Sequence, residues 1–120
     1  MKHISILIPK GHTSVVNIGG THQMFEWVNK FFQQTGRDPL FNIQLVGLEK
    51  ETTQSHGLFT VNPEVLIDQV TKTDLIIIPA IHGDFQQNLK KNSEFIPWIV
   101  EHYKQGAEVV SLCIASFFLA

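Results

Sequence analysis

The chain has 120 residues, 43% of them hydrophobic and 17% charged, with a formal net charge of -2. That describes one packed domain, able to bury roughly two thirds of the surface its unfolded chain exposes, and it excludes a disordered chain. Lys90-Lys91 is the one cluster of basic residues, so the basic face that a nucleic-acid duplex or an anionic membrane demands is missing.

The N-terminus MKHISILIPKG has too short an apolar run before Pro9, and no cleavage site, for a secretory leader. It reads as a first strand, His3 to Pro9, Ile-rich as in a parallel sheet covered on both faces. A loop, KGHTSVVNIGG, follows. From Thr21 to Gln34, Met24, Phe25, Val28, Phe31 and Phe32 recur at helical spacing, and Gly36 stands where a C-terminal cap belongs. Leu40 to Leu48 is a second strand, TQSHGLFTV an extended excursion, and Pro63 opens a brief helix through Val70. Asp74 to Pro79, DLIIIP, is a central strand. Ser93 to Gln105 is an amphipathic helix with Phe95, Ile96, Ile99, Val100 and Tyr103 inward, Pro97 in its first turn and Gly106 at its end. Glu108 to Leu112 returns as a strand. This alternation predicts a three-layer α/β fold of flavodoxin-like type with a mostly parallel sheet, whose ligands bind at the carboxyl ends of the strands. The last residues, Ile114 to Ala120, give fewer than two helical turns without a cap, as the N-terminal portion of a longer protein would.

The single cysteine, Cys113, permits no internal disulfide, which fits a reducing, cytoplasmic setting. It falls at the corner where strand turns to helix, where unpaired N–H groups favour a thiolate. A buried structural cysteine is the alternative at this point. NIGGTHQ has glycines between a strand and a helix but lacks the third glycine, the acidic partner and the lysine of nucleotide-binding loops. The six histidines, at 3, 12, 22, 56, 82 and 102, form no metal-ligand spacing. No metal and no cofactor is expected. PAIHGDF places His82, Gly83 and Asp84 at the carboxyl edge, where His82 could serve Cys113 as a base or simply belong to a polar turn. Ser111 alternates with Cys113 and points the same way.

With these residues in place the sequence resembles the ThiJ/PfpI superfamily, whose fold is that of class I glutamine amidotransferases. SLCIASFFLA is similar to the S-x-C-x-G-A-F-x-L-A elbow of one branch, with Cys113 at the nucleophile position, and NIGGTHQMFEWVN to its D-x-x-G-P-x-E-V-F-x-x-A-N segment. TDLIIIPAIHGDF and FIPWIVEHYKQGAEVVSLC fit the strand and helix leading to the elbow. That branch comprises AraC-type transcription regulators with an amidotransferase-like N-terminal domain and a C-terminal helix-turn-helix pair. The departures are specific: Asn17 stands where a carboxylate supports the cysteine, Thr21 replaces a proline, Gln23 a glutamate, Ala115 a glycine, and Ala80-Ile81 a glycine pair. The family's histidine partner and DNA-binding domain would both lie beyond Ala120.

The resemblance implies residues 1–120 of an incomplete amidotransferase-like domain, with a pocket around Cys113 formed by Asn17, Gly20, His82, Ser111 and Ile114. Its function would be to sense an unknown small-molecule effector and to form a homodimer, away from any membrane and touching DNA only through the domain outside this chain. Two other functions stay open: a cysteine-dependent hydrolase or glyoxalase-like enzyme using Cys113, and a thiol redox sensor. The lost carboxylate favours the non-catalytic reading, because a sensor needs differential affinity and no activated base.

Overall fold

The protein is described here by a computed structural model covering residues 1–50, 52–54, 59–115 and 119. In chain order its elements are β1 Lys2–Ile8, β2 His12–Thr13, α1 Val15–Gln34, β3 Phe41–Gly47, β4 Thr52–Gln54, β5 Phe59–Val61, β6 Val65–Leu66, β7 Leu75–Ile78, β8 Ile81–His82, α2 Phe85–Lys91, α3 Phe95–Lys104 and β9 Glu108–Ser111. Single 3-10 turns occupy Ile67–Gln69 and Cys113–Ala115.

The main sheet runs β6-β3-β1-β7-β9, and every pairing in it is parallel. β1 lies at the centre, and its run from Ile4 to Ile8 is buried on both faces, which is why its hydrophobic pattern is nearly continuous. One face packs Leu7, Val46, Ile76 and Ile78 under Phe95 and Ile99 of α3, and the other packs Ile4, Ile6, Ile8 and Ile77 under Ile18 of α1. Helices on both faces of a parallel sheet make the expected three-layer flavodoxin-like arrangement. At the amino end of the strands, the His3 N–H donates to Asp74 Oδ2 at 2.8 Å, and that bond holds the Asp74 carboxyl below the usual carboxylate range.

Four local readings are corrected. α1 starts at Val15, not at Thr21, because the Ser14 side chain accepts the Asn17 N–H at 3.2 Å and caps the helix inside the stretch read as a loop. Its other end is as expected: Gly36 takes φ 81, and bonds from the Gly36 N–H to the Gln33 carbonyl and the Arg37 N–H to the Phe32 carbonyl close a Schellman cap. The segment 63–70 is not a brief helix. Val65 and Leu66 pair with Val46 and Gly47 at the sheet edge, so two residues of strand and one 3-10 turn replace it. β7 is interior, although the central place belongs to β1.

The fourth correction concerns the rotation of α3. Phe95, Ile99 and His102 face the core, whereas Ile96, Val100 and Tyr103 are exposed. His102 packs on Trp98 with ring centroids 4.5 Å apart and the rings tilted by 58°, and burial lowers its pKa below the ordinary histidine value, partly opposed by the Glu101 carboxylate. An imidazole held neutral this way can occupy a helix face that polarity alone would turn outward. The antiparallel ribbon β4–β5 falls largely in the stretch read as an extended excursion, whereas the antiparallel ribbon β2–β8 and helix α2 had no periodicity to announce them.

Candidate functional site

The chain leaves β1 for β3 on one side of the sheet and later lays β7 and β9 on the other, so the carboxyl ends of β1 and β7 flank a topological switch point. Both ends are extended there by the ribbon that pairs His12 with His82 and Thr13 with Ile81. Residues directly opposite in an antiparallel ladder share a face, so the two imidazoles project together. Gly11 and Gly83, at φ 110 and 103, turn the chain into and out of the ribbon. At Gly11 a side chain would also be tightly placed, since a Cβ would lie 3.0 Å from Asn88 Oδ1, which would have to give way by a few tenths of an ångström.

α2 holds this edge in place. Asp84 Oδ1 accepts the N–H groups of Gln86 and Gln87 and starts the helix. Asn88 Nδ2 then donates to the His82 carbonyl at 3.1 Å. Asn92, fully buried, accepts from the Lys10 N–H at 2.7 Å and donates to the Lys10 carbonyl at 2.9 Å. Two asparagines one helical turn apart thus fix the strand ends that carry His12 and His82. Between the ribbon and the start of α1 lies a cavity of about 480 Å³ lined by His12, Thr13, Ser14, Val15, Val16, Phe59 and His82. Its walls are mostly apolar with two imidazoles, and it opens widely to solvent.

The residues expected around Cys113 are distributed as follows. Cys113 follows β9 after one residue, Leu112, is exposed, and takes φ 54, a left-handed backbone rare for a residue with a side chain. It is not among the residues lining the cavity. The neighbouring Leu112 N–H donates to the Ile78 carbonyl at 2.9 Å, and two residues further on the Ala80 N–H donates to Asn17 Oδ1 at 3.0 Å. Leu112, the residue before Cys113, and Asn17 therefore both bond at the exit of β7, although Asn17 lies within α1 and not in a loop. Ser111 ends β9 opposite Ile78, half-buried. His82 lines the cavity. Ile114 has its backbone in the 3-10 turn, and most of the helix expected after it lies outside the described residues. Gly20 sits on α1 with nothing within 4 Å of where a Cβ would stand, as does Gly19. Nor do three or more of the described His, Cys, Asp and Glu side chains group to hold a metal ion.

Neither a protein-family model nor a curated protein matches the sequence. Solved structures do. A protein from Vibrio parahaemolyticus described as a transcriptional regulator superposes with a TM-score of 0.79 at 22% identity over 98% of this chain and 59% of its own. A ThiJ/PfpI family protein from Pseudomonas syringae gives 0.73 at 17% identity over 98% and 44%, and an AraC family transcriptional regulator from Pseudomonas putida 0.69 at 12% over 99% and 69%. The fold is that of the ThiJ/PfpI and DJ-1 proteins. The chain spans 59% of the length of the Vibrio structure.

Asn17 has a structural task of its own. Its amide oxygen satisfies the N–H of Ala80, a residue only 2% exposed, and so ties α1 to the exit of β7. Asn17→Leu is expected to cost about 1–3 kcal/mol, since it strands a buried donor. Asn17→Asp retains the acceptor, and as the third residue of α1 the carboxylate gains about 0.3–1 kcal/mol from the helix dipole. Urea unfolding of the two variants should therefore move in opposite directions from wild type at neutral pH; equal losses would show that the Ala80 bond is not what Asn17 contributes.

Proposed function

We propose that this chain is the effector-sensing and dimerising half of an AraC-type transcription regulator, and that it works by binding and not by catalysis. The observation that carries the reading is the engagement of Asn17 Oδ1 by the Ala80 N–H, at the place where the ThiJ/PfpI pattern has a carboxylate supporting the cysteine. Nucleophilic catalysis needs an adjacent base or a strongly lowered pKa; a sensor needs a cavity and a difference in affinity between two states. The cavity between the His12–His82 ribbon and α1 is where the effector would sit. DNA would be reached through a helix-turn-helix domain outside this chain, consistent with the two regulators among its structural relatives, and the setting would be the cytoplasm. No helix among the described residues is long and apolar enough to cross a membrane.

The left-handed backbone of Cys113 favours a second reading, a cysteine-dependent hydrolase or glyoxalase-like enzyme, because a strained turn between strand and helix is how a nucleophile elbow presents its side chain. Turnover separates the two. Assays with glutamine, a peptide and methylglyoxal are expected to stay at background. Turnover that disappears in Cys113→Ser would replace the sensor with the enzyme.

A further inference from the structure

The β2–β8 ribbon brings together two histidines that lie far apart in the sequence. His12 and His82 are both exposed and directly opposite each other in an antiparallel pair. Such residues have Cβ atoms about 4.5–5.5 Å apart on one face, a separation from which two imidazoles can converge on one ion at the about 2.0–2.1 Å of a metal–nitrogen bond. The His12 ring already lies towards the partner strand, with Cδ2 3.8 Å from where a Cβ on Gly83 would stand. The other described histidines are placed elsewhere: His3 meets Asn42, His22 meets Glu26 and His102 packs on Trp98.

The backbone beneath the pair is fixed by buried side chains. Asn92 holds both the N–H and the carbonyl of Lys10, two residues before His12, and Asn88 holds the carbonyl of His82 itself. At the other end of the ribbon the Ser14 N–H donates to the Ala80 carbonyl at 2.8 Å. Ligands fixed beforehand lose less conformational freedom on binding, which sets this pair apart from two histidines on mobile loops.

We propose that His12 and His82 together chelate a divalent transition-metal ion of the nickel, copper and zinc group at the rim of the cavity. The proposal stands on the ribbon and goes beyond the sensing function. Donor chemistry decides the class of ion. Imidazole nitrogen suits these metals, whereas magnesium and calcium take oxygen ligands, and among the described residues no Asp or Glu lines the cavity. Nor does a Lys or Arg line it, so no side-chain cation opposes the ion there. The start of α1 sets the positive end of its dipole towards the same cavity. That works against a bare dication and favours one that carries an anion, so the coordination positions left open by the two imidazoles suit a carboxylate. Two protein ligands are fewer than the three or four of a dedicated zinc site, and the hold is correspondingly weaker.

The test uses the whole chain with Cys113→Ser, which removes the thiol as a competing ligand, and nickel(II) alone. Calorimetric titration should show one ion per chain. His12→Ala and His82→Ala, both at exposed positions, should each weaken binding about tenfold or more, while His22→Ala leaves it unchanged and magnesium gives no binding. With copper(II) in place of nickel, electron paramagnetic resonance should show two imidazole nitrogens on the ion, a readout that needs no variant of the ribbon. Absence of nickel binding, equal binding by both ribbon variants and the parent chain, or a copper spectrum with a single nitrogen overturns the site and leaves the sensing reading standing.

Discussion

Asn92→Ala is expected to destabilise the protein by about 2–5 kcal/mol, a large part of the stability of a domain this size. Asn92 is 0% exposed, and its amide is used at both ends. Oδ1 accepts the Lys10 N–H at 2.7 Å, while Nδ2 donates to the carbonyls of Asn88 and Lys10 at 2.8 and 2.9 Å. Alanine would strand both backbone groups of Lys10 in a part-buried corner and leave a void besides. The effect should reach the cavity, because Gly11 and His12 follow Lys10 directly and Asn88, one turn earlier on α2, holds the His82 carbonyl. Urea unfolding at constant m-value gives the number. Lys91→Ala, exposed next door, should change stability by no more than about 0.5 kcal/mol. A loss below about 1 kcal/mol for Asn92→Ala would mean that Lys10 finds other partners.

Phe95→Ala should cost about 3–5 kcal/mol, the range for a large side chain deleted from a closed core. Phe95 is 1% exposed and packs with Leu7, Val46, Ile76, Ile78 and Ile99. Tyr103, read from the sequence as an inward residue of the same helix, is 66% exposed, and Tyr103→Ala should stay within about 0.5 kcal/mol. Because the two substitutions remove aromatic rings from one helix, their difference measures the rotation of α3 and nothing else about it. Comparable losses would restore the rotation that the periodicity implied.

That helix shows where sequence patterning stops. FIPWIVEHYK is apolar on most sides, so a period near 3.6 fits several rotations, and the deciding residue, His102, is one that polarity argues away from a core. β1 and β7 were legible because a parallel sheet covered on both faces demands long apolar runs, and the cap at Gly36 because the left-handed conformation there selects glycine. α1 was read six residues short: Gly19-Gly20 resembled a loop, and the cap at Ser14 was the signal that could have corrected it.

Near the site, the strand that leads towards Cys113 was legible from its apolar run. The cavity was not. Its walls come from residues 12–16, 59 and 82, brought together by a two-residue ribbon too short to have a period. Asn88 and Asn92, which position that ribbon, are polar residues one turn apart on a helix that no apolar stripe announced.

The claim that this domain binds an effector at the His12–His82 edge is tested most directly by thermal unfolding against a panel of small organic compounds, run on wild type and on His82→Ala. The account predicts a compound that raises the wild-type Tm, by about 2.7 kcal/mol of stabilisation at one hundred times its Kd. The same compound should bind His82→Ala about tenfold more weakly, a loss of about 1.4 kcal/mol, and should be recovered chemically unchanged. A compound that stabilises both proteins equally, or that returns as product only when Cys113 is present, would contradict it.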